Sequence, residues 1–263
     1  MKRFFAYGCS FTKWQYPTWA DCIGVNFDEY YNHGRGGCDH TYILDTVHED
    51  NLKYKFNKDT DVIFVATTGV NRLTWYDHRS AWPTGDLYNW QNSIKQAGLQ
   101  DWSKFEGFFN ELWNLDWACL RTSNAVIQIK SFLNFINVDH KIFQGMNSKF
   151  ILEKDLSLGS NTLEKFRTHF QFIEDIPAID DYRCENECHS VNDDHGLDGH
   201  PGQPRHFSYV KKFFPKYYTD ESEKFYNKTV NEFFFKSYPK SDTRNKEYHC
   251  FLKNNYPNFK WLI

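Results

Sequence analysis

The sequence contains no apolar stretch long enough to span a bilayer. Its first apolar run covers only Phe4 to Tyr7, too short for the hydrophobic segment of a secretory leader. Neither a membrane span nor export is therefore expected. Charge of one sign is also lacking: the formal net charge is −3, and the isoelectric point lies near 6.4. A general pull toward nucleic acid or an anionic membrane surface is excluded on that ground. An even cysteine count is missing too. Seven cysteines without a leader argue for reduced thiols in a cytoplasm rather than a disulfide framework. Internal repeats and low-complexity segments are absent. Methionine is scarce, at two residues, whereas aromatics make up 19% of the chain, so the core must be built largely from rings.

What is present alternates between strand-like and helix-like segments. Phe4–Tyr7 and Asp61–Ala66 are short apolar runs of the kind that form buried strands, and Phe27–Tyr31 and Lys141–Gly145 read as two more. Pro17-Thr18 opens a short helix closed by Gly24, Thr41–Lys53 carries helical spacing, and 104–137 reads as one long helix or two. This alternation predicts a parallel sheet covered by helices on both faces. At 263 residues one large domain or two small ones would be ordinary. We place an α/β domain over 1–215, with an aperiodic lid or insertion at about 73–103. A helical, basic and aromatic extension over 216–263 is expected to pack on the same domain. From Phe207 onward there are eleven Lys and Arg against six Asp and Glu, a surplus expected to form a solvated face.

Three glycine-bearing loops follow three of the expected strands: Gly8-Cys9-Ser10, Asn32 to Gly37, and Gly69-Val70-Asn71. In a parallel sheet such loops emerge at one rim, where ligands gather. Ser10 brings a hydroxyl and its own N–H, Gly37 or its neighbours an unhindered N–H, and Asn71 a side-chain amide with two donors. Together they could hold a tetrahedral oxyanion. A serine hydroxyl needs a base to become nucleophilic. Asp198-Gly199-His200-Pro201 offers an imidazole beside a carboxylate, with His200 to take the proton and Asp198 to orient the ring. His195 and His206 are the rival bases.

These blocks resemble, in order, the motif blocks of the SGNH hydrolases, the GDSL-type esterase and lipase superfamily. Gly8-Cys9-Ser10-Phe11-Thr12 is similar to the first block, Asn32 to Gly37 to the second, Gly69-Val70-Asn71 to the third, and Asp198 to Pro201 to the Asp–His element. The match covers roughly 1–72 and 190–215. The resemblance implies a flavodoxin-like three-layer α/β/α sandwich and an ester hydrolase that uses no metal or cofactor. It also implies a catalytic set of Ser10, His200 and Asp198, with an oxyanion hole from Ser10, Gly37 and Asn71. Three positions depart from the pattern. Cys9 stands where the family often has Asp. Arg72 follows Asn71 where Asp is usual, which could favour an anionic substrate. Asp198 lies two residues before His200 rather than three, which leaves open Asp194, another carboxylate, or a Ser–His dyad alone.

The expected activity is cleavage of a small acyl ester, an acetyl group on a carbohydrate being one candidate, in a cytoplasmic protein without nucleic-acid or membrane partners. Transfer to a second alcohol would use the same site. The rival is a non-catalytic binding or virion-associated module that keeps the fold. Trp14, Trp19, Trp75 and Trp82 could stack on a sugar or acyl chain, or simply pack in the core or lid. Cys184, Cys188 and His189, followed by His195 and His200, could hold zinc. However, the Cys-x₃-Cys-His spacing matches no common finger, and using His200 as a ligand would remove the base.

Overall fold

Strand alternation sets the faces. In β1 (Arg3–Gly8), Phe4 and Ala6 point to one side and Phe5 and Tyr7 to the other, and all four are buried. A strand buried on both faces needs helices above and below it. Phe4 meets Trp19 of α1 (Trp19–Gly24) edge-on and stacks on Tyr30 of β2 (Glu29–Gly34). Phe5 stacks on Tyr31 at 4.7 Å and reaches Tyr54, the last residue of α2 (His40–Tyr54). The computed structural model describes residues 1–76, 81–83, 114–149, 152, 158–182, 200–234 and 241–261.

The remaining described elements are β3 (Asp61–Thr67), β4 (Thr74–Tyr76), β5 (Ala81–Pro83), α3 (Leu115–Phe135) and β6 (Asp139–Gln144). After them come α4 (Ser160–His169), α5 (Gln203–Phe213), α6 (Asp220–Thr229), α7 (Ser241–Asn255) and β7 (Phe259–Trp261). Five strands form one all-parallel sheet in the order β6-β3-β1-β2-β7. Helix α3 packs between α2 and α4 on one face, while α1 meets α5 and α6 on the other. The architecture is an α/β/α sandwich, as the alternation predicts. Its first four strands follow the flavodoxin-like order, with β2, β1, β3 and β6 adjacent in that sequence. The fifth lies beside β2 instead of beyond β6.

Several boundaries differ from the sequence reading, each for a physical reason. Strand β2 runs on through Asn32, His33 and Gly34, a stretch expected to be turn. The buried polar side chains are tolerated because each has a polar or charged partner. Asn32 donates to the Thr12 carbonyl and to Tyr30, and His33 lies 2.8 Å from Asp50. The extension expected to be helical contains α6 and α7, but it ends in a strand, with Phe259 in register with Tyr30. The region expected to be an aperiodic lid begins with the antiparallel pair β4–β5, in which Trp75 faces Trp82 in register; 84–103 lies outside the described residues. In the basic tail, Lys211, Lys212, Lys216 and Lys228 sit over the rings of Tyr218, Tyr182, Tyr217 and Tyr256. Much of the lysine surplus therefore covers aromatic faces that would otherwise meet water.

Candidate active site

The Ser10 loop leaves β1 at Gly8, whose φ is +152°. A Cβ there would fall 2.1 Å from Thr12 Oγ1 and 3.0 Å from the Ala66 carbonyl oxygen, so no other residue fits. The chain then folds tightly, with the Thr12 and Lys13 N–H groups both donating to the Cys9 carbonyl. From below, the Thr12 carbonyl accepts Thr18 Oγ1–H at 2.7 Å and Asn32 Nδ2–H at 2.9 Å. Ser10 rides on this braced turn at the C-terminal rim of the sheet, 5% exposed.

His200, 190 residues further along, reaches the same point: its Nε2 lies 3.0 Å from Ser10 Oγ. With Nε2 unprotonated, the imidazole accepts the serine proton. The segment is docked by Tyr16, whose hydroxyl donates to the Pro201 carbonyl at 3.1 Å, and it leads straight into α5. Two rings from the Ser10 loop hold the imidazole. Trp14 stacks on it with centroids 3.9 Å apart and planes 19° apart, and Phe11 meets it at 79°. His206, one of the rival bases, is fully buried in α5. Burial pushes it down to about 3, and the nearby Arg205 and His200 add to the effect.

The second loop follows β2. Arg35 N–H donates to the Gly8 carbonyl at 2.9 Å, and Cys38 N–H closes a turn onto the Arg35 carbonyl. Gly37 has φ +75°, a left-handed turn position that suits glycine. Gly36 lies directly against Ser10, since a Cβ placed on it would be 3.9 Å from the Ser10 Cβ. The third loop follows β3. His40 anchors it by accepting the Thr68 N–H at Nε2, 3.2 Å away, and Arg72 Nη1 donates to Thr68 Oγ1 at 2.6 Å. Burial, with the charges of His169, Arg72 and Arg121, pushes His40 down to about 3. The ring is therefore neutral and able to accept. Asn71 sits on this turn with its Oδ1 folded toward Gly69. The charge of Arg72 is thus spent partly on its own loop.

Sequence reasoning missed the support beneath these loops. Asp21 is fully buried in α1. It accepts Thr18 N–H at 2.8 Å and Tyr30 O–H at 3.0 Å. Burial raises its carboxyl to about 6, and the bonds from Thr18, Tyr30 and Tyr248 oppose that rise. Thr18 in turn holds the Thr12 carbonyl, so Asp21 braces the Ser10 loop at one remove. The Thr18-x-x-Asp21 spacing at a helix start was a readable capping signal for half of this network. The roles of Trp14 and His40 had no sequence signal.

Asp198, Asp194 and His195 lie outside the described residues, as do Cys184, Cys188 and His189. Among the described residues no group of three or more His, Cys, Asp or Glu could hold a metal ion. Two clefts of similar size flank the sheet. One of about 330 Å³ lies at the N-terminal rim, beside Lys2, Asp61, Asp139 and Lys216. Another of about 310 Å³ lies near the end of β6, beside Gln144 and Asn147. Neither of these clefts is lined by Ser10 or His200, and what marks the Ser10 rim among the described residues is the juxtaposition of hydroxyl, imidazole and glycine turn. No helix among the described residues is long and apolar enough to cross a membrane. No protein-family model matches this chain, and no curated protein matches it significantly, so the functional reading rests on the geometry and on the motif resemblance.

Proposed function

We propose that this protein is a serine hydrolase of the SGNH type, acting on a small acyl ester. The observation that carries the reading is the 3.0 Å approach of His200 Nε2 to Ser10 Oγ at the C-terminal rim of a parallel sheet. In the reaction Ser10 Oγ attacks the ester carbonyl while His200 Nε2 takes its proton. The N–H of Ser10, an N–H of the Gly36-Gly37 turn and the Asn71 amide receive the oxyanion. His200 then returns the proton to the departing alcohol, leaving an acyl group on Ser10. Water, activated by the same imidazole, releases the acid. A second alcohol in place of water would make the site a transferase. Asp198 is the acid that the resemblance assigns to the His200 ring.

The test is labelling by a fluorophosphonate probe together with turnover of p-nitrophenyl acetate, in the wild type and in Ser10→Ala and His200→Gln. The reading expects both activities in the wild type and neither in the variants. A folded wild type that neither labels nor turns over overturns it and favours a non-catalytic binding module.

A further inference from the structure

The loop that carries the nucleophile also carries the ring that faces the base. Trp14 is four residues from Ser10, and its indole lies nearly parallel to the His200 imidazole, with centroids 3.9 Å apart. It is half-buried at the margin of the core, with the imidazole against one face of its ring. We propose that Trp14 is a positioning residue that sets the plane of the His200 ring and favours the imidazolium formed when Ser10 gives up its proton. The proposal rests on the reading of Ser10 and His200 as nucleophile and base.

The physical argument has three parts. Rotation of an imidazole about its last side-chain torsion is loosely restricted, so a general base needs something to fix its plane. A carboxylate on Nδ1 grips the ring at one edge; a stacked indole, with Phe11 crossing at 79°, restrains its face. Second, the face of an indole is electron-rich and attracts a cation, so the stack strengthens as the imidazole becomes charged. That is the direction of change as Ser10 gives up its proton. Third, the loop is rigid. The Lys13 N–H bond to Cys9 and the two bonds received by the Thr12 carbonyl tie Ser10 and Trp14 into one unit. Nucleophile and ring clamp therefore keep their separation whatever the His200 segment does. An indole face already occupied by His200 is also not free to receive a sugar there.

Trp14→Ala and Trp14→Phe, each compared with the wild type, test this. Loss of the stack should lower kcat for p-nitrophenyl acetate about tenfold, with KM within about twofold. The acid limb of the pH profile should move to lower pH, because the imidazolium loses its partner. Trp14→Phe should retain activity within about threefold, and it serves if the alanine variant does not fold. A raised KM with kcat unchanged would make Trp14 a wall of the substrate site and overturn the proposal. An unchanged pH profile in the alanine variant would overturn it as well. A readout independent of catalysis separates this inference from the hydrolase reading. The His200 ring protons, identified by their loss in His200→Gln, should be shielded by the indole in the wild-type NMR spectrum. They should shift downfield in Trp14→Ala. If the wild type shows no hydrolase activity but the downfield shift occurs, the hydrolase reading fails and the stack stands. If there is no shift, the stack itself is refuted.

Discussion

The two rims of the sheet are built from the same five strands and do opposite things with polar groups. At the N-terminal rim the charges are consumed by one another. Arg3 at the start of β1 grips Asp61 at the start of β3 with two bonds, and it also donates to the Tyr54 carbonyl at the end of α2. Asp61 accepts the Asn57 N–H as well. Tyr217 donates to Asp139, and Lys141 pairs with Glu174. At the C-terminal rim the bonds go into holding loops, and Ser10 and His200 are left facing each other. One rim fastens strands and the other brings a hydroxyl and an imidazole together. A cleft of useful size at the fastened rim is thus a poor guide to function.

The sharpest way to break this comparison is Ser10→Ala. It should abolish fluorophosphonate labelling and lower ester turnover by about 10⁴-fold or more, as removal of a nucleophile does, without altering the melting temperature. Residual labelling at another residue would move the chemistry away from this rim.

At the opposite rim, Arg3→Ala should act on stability alone. It leaves Asp61 buried without its guanidinium, a change that costs about 3–5 kcal/mol in comparable pairs. Denaturant titration checks the loss, and turnover per folded molecule should be unchanged.

Asp21→Asn probes the support beneath the active loop. The Asp21 carboxyl is raised to about 6 in the fold, so its neutral form is favoured there. The stability it contributes is complete below about pH 4 and is lost as pH rises toward 6, by about 3 kcal/mol in all. The wild type should therefore lose stability relative to Asp21→Asn over that interval, whatever constant offset the substitution adds. A difference between the two that does not change from pH 4 to 7 would contradict this. The smallest effect is expected from Lys216→Glu in the N-terminal cleft, which should leave ester turnover unchanged. Any marked change in rate would mean that the two rims are coupled.

How much of this was legible depends on the range of each signal. Strands β1 and β3 are apolar on both faces, so their composition alone marks them. The loops after them are marked by glycine, and Gly8 shows why: its neighbour Thr12 leaves no room for a side chain. The fold class followed from those local signals plus the geometry of parallel sheets, and the meeting of Ser10 with the His200 segment was expected from the motif resemblance. The choice between His200 and His206 was beyond spacing, because it depends on α5 turning His206 into the core. Asn32 and His33 looked like turn residues because their partners, the Thr12 carbonyl and Asp50, are distant in sequence. Strand β7 was missed for a similar reason. Three residues, one of them lysine, carry no period of their own, and only the open edge of β2 makes them a strand. The β4–β5 pair is equally short, and its register is set between the two runs rather than within either.

The late position of β7 has a consequence for biosynthesis. Strands β1, β2, β3 and β6 have all been made by residue 144, yet the outer edge of β2 waits for residues 259–261 before it is covered. Over the intervening stretch of translation the nascent chain offers an uncapped row of amides and carbonyls, the kind of template on which neighbouring polypeptides coalesce. Among the described residues β7, made well after the other four strands, thus closes the edge on which such self-association would start.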